Sequence, residues 1–392
     1  MRRRITILMK TAGFIGFVLW VLFAVGEGAL HAAEPIKIGA VISQTGRGGF
    51  LGTPEKEAIT VAVEEVNRQG GIFGRPIALY IEDDQSNPTN SNVAATKLIR
   101  DEKVSCLIGP SLVAGSMAVI PICEREEVPH IPFPPLVIPL KKWIFTVNVT
   151  EQDISRVILK LTVNKLGARK LALLHSMDTY GMNGAQGIVD NVDKYGASLV
   201  ITEKFDPGDT SMIPQLTKVK AAHPEAIILY ANANPASVVA KNYQQLGMET
   251  QVVGAAGIAI PDFIKLAGRV VEGGRWIVFG SKDLYAEQLP PDDPYRKNLY
   301  DPLRKALKEK YGRTEWNGLC RSGYDAIRIA IEALKIAKTD NRAAIRDALE
   351  KVEYQGLLGD YKYSPTDHVG KSREEPFLPI IIKDGKFWPY KK

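Results

Sequence analysis

The stretch Val104–Val128, VSCLIGPSLVAGSMAVIPICEREEV, decides the fold. It reads as a buried strand (Val104 to Ile108), a tight turn at Gly109-Pro110-Ser111, and a helix that carries the chain back to the charged run Glu124 to Glu127. A short apolar run stopped by Gly-Pro is a strand signal. Between strand and helix lies Ser111-Leu112-Val113-Ala114-Gly115-Ser116, small residues with two hydroxyls. At the carboxyl end of a strand in an open α/β sheet, such a loop borders the ligand crevice. Small residues let a ligand approach the backbone. The hydroxyls and the free N–H groups of a helix start suit a carboxylate or another anion. An ordinary strand-to-helix turn with Ser111 or Ser116 as N-cap fits the same residues. Pro121 falls beyond the first helical turn, where its missing N–H predicts a kink.

The segments upstream repeat the pattern. Ile36 to Ile42 is a strand, followed by the glycine-rich turn Ser43 to Gly52 and a helix over Pro54 to Gln69, with Ala58, Val61, Ala62 and Val66 on one stripe. The turn is no dinucleotide fingerprint. Counting from Gly46, Leu51 stands where the third glycine of G-x-G-x-x-G belongs, and no acid ends the next strand at the required place. It reads either as a flexible turn or as a ligand-proximal loop with Phe50 at its tip. Next come a strand, Ile77 to Glu82, a polar turn with Asp83 and Asp84, and a helix, Thr89 to Asp101. Adjacent acids on a strand point to opposite faces, so this pair reads as capping and a solvated turn, not as a metal site. Downstream, Pro129 to Leu136 is a strand running into a proline-rich turn.

With 392 residues the chain has room for two domains of ordinary size, and its 45% apolar and 24% charged content is globular. The formal charge is +6. Arg2, Arg3, Arg4 and Lys10 against Glu27 give residues 1–33 a net +3, which leaves +3 for the rest. That is too little for a nucleic-acid footprint, and no dense Lys/Arg stripe is present. The basic start, the apolar run Phe14 to Val25 and the small residues Ala29, Ala32 and Ala33 form the three parts of an export signal cleaved near residue 33. Cys106, Cys123 and Cys320 match no zinc spacing. Cys106 and Cys123 read as two buried thiols, with a disulfide between them as the alternative.

The series IKIGAVISQTG, VNRQGGIFGRPIALYIEDDQSNP and CLIGPSLVAGSMAVIPICEREEVP resembles the periplasmic solute-binding proteins of the branched-chain amino-acid transport family. The later segments KLALLH with DTYG, EAIILY and VGAAG are similar to the same family, so the likeness spans nearly the whole chain after residue 33. The resemblance implies an α/β fold of two Rossmann-like lobes joined by a three-crossover hinge, the type I periplasmic binding protein. It implies crossings near Val147–Gln152, Ile277–Lys282 and Tyr354–Lys362. One lobe then holds 34–149 and 282–354, the other 150–281 and 355–392. It further implies a periplasmic monomer without cofactor, catalytic residues or metal, which captures a small molecule and delivers it to the membrane permease of an ABC transporter.

Ligands of such folds sit between the lobes at strand carboxyl ends. The expected contacts are Phe50, Ser111, Ala114, Gly115, Ser116 and Phe133-Pro134-Pro135 from one lobe. Tyr180, Ala231, Asn232 and the loop Ala255-Ala256-Gly257 are expected from the other. In the roles the resemblance implies, Ser111 and Ser116 hold a carboxylate while Phe50 and Tyr180 wall an apolar body. The sequence departs from amino-acid binders of this family twice. The loop Pro132 to Pro135 has no hydroxyl, and Ala231 to Ala236 has no acid to neutralise an ammonium. A buried ammonium without a counter-charge costs several kcal/mol. The expected ligand therefore has an anionic end and an apolar body, such as an aromatic or aliphatic acid. A branched-chain amino acid is the family's namesake alternative.

An exported hydrolase is the first rival reading. Gly109-Pro110-Ser111-Leu112-Val113 lacks the second glycine of a nucleophile elbow, no H-E-x-x-H occurs, and the five histidines are scattered. His175 reads as packed or solvated. A sensory module of the same fold is the second rival, disfavoured by a chain with no C-terminal membrane segment.

Overall fold

The computed structural model describes residues 34–136, 141–371 and 377–391; the export signal read over 1–33 lies outside them. In chain order the first elements are β1 (Ile36–Ile42), α1 (Gly49–Arg68), β2 (Ile77–Asp83), α2 (Pro88–Arg100), β3 (Cys106–Ile108), α3 (Val113–Arg125) and β4 (His130–Ile131). Then come α4 (Glu151–Leu159), β5 (Lys170–Ser176), α5 (Thr179–Val189), β6 (Ser198–Phe205), α6 (Ile213–Ala221), β7 (Ala226–Tyr230), α7 (Ala233–Gln245), β8 (Gln251–Gly254), α8 (Pro261–Ala267) and β9 (Trp276–Gly280). The chain ends with α9 (Asp301–Tyr311), α10 (Cys320–Ala337), α11 (Arg342–Leu349), the hairpin β10 (Glu353–Gly356) and β11 (Gly359–Lys362), and finally β12 (Leu378–Lys383) and β13 (Lys386–Pro389).

Two separate sheets organise these elements. The first is parallel, in the order β2-β1-β3-β4. The second runs β13-β12-β9-β8-β7-β5-β6, parallel from β6 to β9, with β12 and β13 antiparallel at one edge. From Ile38 to Ile42 β1 is apolar without a break because both its faces are covered, as parallel sheets require. Ile36, Ile38, Ala40 and Ile42 pack in one cluster with Ala58, Ile59 and Ala62 of α1. Val41 packs in another with Leu98 of α2 and Ile122 of α3. The larger cluster continues through Phe145, Val147 and Val149 into Leu171 and Leu173 of β5, so apolar packing links the sheets.

The path between sheets sets up the site. The chain leaves the first sheet after β4 and builds the second from β5 to β9. It then returns to lay α10 on α1, and passes through β10 and β11 to add β12 and β13 to the second sheet. Both sheets share one winding. In the first, the chain moves from β1 outward to β2 and then across to β3. In the second it moves from β5 outward to β6 and across to β7. Each sheet therefore has a switch point, between β1 and β3 and between β5 and β7, where ligand crevices form.

Several local expectations are corrected. The strand at Val104 is shorter, because the Val104 N–H donates to the Leu98 carbonyl at the end of α2. α3 starts at Val113 without a side-chain cap and runs on to Arg125 with Pro121 inside it. α1 starts five residues before Pro54, so Phe50 lies in its first turn and not at a loop tip. Asp84 is not solvated. It is 1% exposed and accepts from Ser43 Oγ (2.7 Å), Ser91 Oγ (2.8 Å) and the Ser86 N–H (2.8 Å). Cys106 and Cys123, in contrast, are the two buried free thiols expected, and Cys320 is buried and free as well.

Candidate ligand-binding site

A cavity of about 130 Å³ lies where the carboxyl ends of the two sheets meet. Leu51, Glu55, Ser111, Leu112, Val113 and Phe133 to Pro135 line it from the first sheet's side. Tyr180, Asn232, Ala256 and Gly257 line it from the second. Asn148, Leu319, Arg321, Ser322 and Phe377 complete the wall. The volume is comparable to the void of about 150 Å³ that holds one benzene molecule, so the space suits a single ring or a short branched chain.

Of the residues singled out in the sequence, Ser111, Phe133, Pro134, Pro135, Tyr180, Asn232 and Gly257 line this cavity, each just past a strand end. Phe50, Ala114, Gly115, Ser116, Ala231 and Ala255 do not. Phe50 turns to a neighbouring groove with Pro261 and Trp316, and Leu51 takes the wall position. Ser116 is buried within α3, its hydroxyl 3.4 Å from the Pro110 carbonyl. Gly115 lets α3 pass close to Ser91 and Asp84. Ala231 and Ala255 are wholly buried under the loops. The Ser111 hydroxyl is already engaged: it accepts from the Ser43 N–H (3.1 Å) and donates to Glu55 Oε2 (2.5 Å). His175 is half-buried, with Nδ1 3.0 Å from the Ser176 carbonyl, and is absent from the wall.

Two charged side chains in the wall were not anticipated. Glu55 comes from α1 and is 3% exposed. Burial pushes its carboxyl up to about 8; the Ser111 hydrogen bond opposes this and the charge of Asp84 adds to it. Arg321 comes from the first turn of α10, 7% exposed, with Nη1 3.3 Å from Asp283 Oδ2. Asp283 also accepts from Trp316 Nε1 (2.8 Å) and Ser281 Oγ (2.5 Å). Opposite them, Tyr180 Oη accepts from the Gly257 N–H at 2.9 Å, and its ring lies 5.0 Å from that of Tyr230. Tyr230 donates to Glu151, a wholly buried acid that burial pushes up to about 8.

A sequence model described as periplasmic binding protein matches residues 35–373. The chain belongs to the periplasmic binding protein family. It is 21% identical over 377 residues to Leu/Ile/Val-binding protein homolog 7 of Brucella abortus (strain 2308), covering 93% of each chain. It is 22% identical over 289 residues to the Leu/Ile/Val-binding protein of Escherichia coli (strain K12), covering 72% of this chain and 76% of that one. Among solved structures, an extracellular ligand-binding receptor from Rhodopseudomonas palustris HaA2 superposes with a TM-score of 0.82 at 29% identity, covering 91% of this chain and 99% of that one. A leucine binding protein from Thermotoga maritima MSB8 gives 0.77 at 23%, covering 91% and 98%. The fold is the two-lobe type I form.

Segments of this periplasmic binding protein that run between the two sheets are tied by hydrogen bonds next to the cavity. Asn148 donates to the Phe133 carbonyl at 2.6 Å. Tyr361 Oη lies 2.9 Å from both the Val147 carbonyl and Asp325 Oδ2. Asp325 accepts from the Leu357 and Leu358 N–H groups at 2.8 and 2.9 Å. Among the described residues no cluster of His, Cys, Asp and Glu is placed to hold a metal ion, and no helix is long and apolar enough to cross a membrane.

Proposed function

We propose that the chain is the exported capture component of an ABC importer, which takes up a small carboxylate-bearing ligand between its lobes and presents it to a membrane permease. The observation that carries this is the cavity itself. It lies between both sheets' carboxyl ends, is walled by Leu51, Phe133, Pro134, Leu319 and Phe377, and has one guanidinium, Arg321, in its lining. An apolar wall with one buried cation is the complement of an anionic end on an apolar body. On this reading Arg321, not Ser111 or Ser116, holds the carboxylate, and Tyr180 faces the body. The lobes 34–149 with 282–354 and 150–281 with 355–392 close on the ligand, to the extent that it binds the closed form better. The small volume favours an aromatic or short aliphatic acid, or an amino acid of similar size.

A thermal-shift screen tests the reading. A ligand that binds only the folded state raises the melting temperature with the logarithm of its concentration over Kd. Benzoates, 2-oxo acids and branched-chain amino acids at millimolar concentration form the panel. A saturable shift with at least one of them is expected. No shift with any carboxylate contradicts the proposal.

A further inference from the structure

We infer that Glu55 meets the ligand as a proton-bearing hydrogen-bond donor, so that the site selects carboxylates lacking an α-ammonium over the matching amino acids. This rests on the capture reading above and names the ligand class for that cavity.

The geometry around Glu55 carries the inference. Ser111 Oγ accepts from the Ser43 N–H and donates to Glu55 Oε2, so one carboxyl oxygen is already engaged. Glu55 lines the cavity, and no hydrogen bond is seen to its other carboxyl oxygen among the described residues. The charged groups nearby give an ionised Glu55 no support. From the end of β2 comes Asp84, a like charge. From α10 comes Arg321, which bonds Asp283 and makes no bond to Glu55. From α5 comes Tyr180, and from the hinge Asn148, both neutral donors or acceptors. Among the described residues no cation bonds to Glu55. A buried carboxyl beside a like charge and without a cation keeps its proton, in keeping with the rise to about 8. An ammonium at that point sets donor against donor unless Glu55 ionises. A 2-oxo, hydroxyl or carboxylate oxygen sets acceptor against donor.

The test is calorimetric titration of the chain with matched pairs: leucine against 4-methyl-2-oxopentanoate, and phenylalanine against phenylpyruvate. Wild type and Glu55→Gln are compared at pH 6.5 and pH 9. The proposal expects the 2-oxo acid of a pair to bind at least tenfold tighter. It expects binding to weaken about tenfold at pH 9, one unit above the Glu55 value. It expects Glu55→Gln, whose amide cannot ionise, to lose the pH dependence. That loss separates Glu55 from Lys371, whose ammonium burial lowers to about 8 in the same window. The opposite pattern overturns the proposal: the amino acid binds tighter, its affinity rises with pH, and Glu55→Gln loses a hundredfold or more. Glu55 would then be the ligand's counter-charge, and capture itself would stand. If a folded chain binds neither member of either pair, this proposal fails; the capture reading fails with it only if the benzoates also give no thermal shift.

Discussion

Glu151 is the second acid that the fold holds against its usual charge state. Its Oε1 has no hydrogen-bond partner, and burial raises its pKa from 4.5 to about 8. A folded value above the unfolded one means the folded state keeps the proton longer. Stability from this source is full below about pH 4.5 and is lost as the pH rises through 8. Glu151→Gln removes that dependence. Melting curves at pH 5 and pH 8.5 should show the variant gaining on wild type at the higher pH, by an amount on the order of a few kcal/mol. Parallel curves would contradict the assignment. Glu55 and Arg321 show where a single sequence stops being legible. Glu55 stands three residues before Ala58 and seven before Ala62, on the buried stripe of α1, and an acid on such a stripe was the available signal. Arg321 and Asp325 stand four apart, with Ile329 four further on, on the inward face of α10. Their meeting in one cavity depends on α10 returning to α1 from more than 250 residues away, and no local pattern encodes that.

Among the elements, the wall on the second-sheet side rests on a close approach. A Cβ at Gly184 of α5 would overlap the ring of Tyr230 on β7. That approach seats α5 against the sheet and aims Tyr180, one turn earlier, at the cavity. Gly184→Ala should destabilise the chain by about 1–3 kcal/mol through overpacking, measured by denaturant unfolding, and should weaken ligand binding as the Tyr180 wall moves. An unchanged midpoint would mean the helix shifts at no cost. The elements that read cleanly from sequence were those with strong periodicity. β1, read as a strand over Ile36 to Ile42, is observed over those residues. Boundaries failed where tertiary hydrogen bonds overrode propensity. The Gly48 N–H donates to Ser86 Oγ at 2.8 Å, which ties the glycine-rich turn down and lets α1 start at Gly49. Strand β4 is two residues long, because Asn148 takes the Phe133 carbonyl that a longer strand would offer to a neighbour.

At the scale of the whole molecule, two sheets of the same winding present their switch points to one another, and the chain that joins them supplies the polar floor. The Lys265–Glu315 pair, at 2.5 Å, links α8 to the loop after α9, but both side chains are more than half exposed, and such pairs contribute about 0–1 kcal/mol. On the proposed reading, a ligand bridging the cavity is what favours the closed form. The two-lobe plan was legible because the order and spacing of many modest motifs resemble one family. The chemistry of the cavity was not, since the residues that depart from that family are answered by others far along the chain. The most direct measurement is a crystal structure of the chain with the carboxylate that gives the largest thermal shift. The account predicts ligand density between the lobes with a carboxylate oxygen about 2.7–3.2 Å from an Arg321 nitrogen. Density outside this cavity, or a carboxylate held away from Arg321, would contradict it.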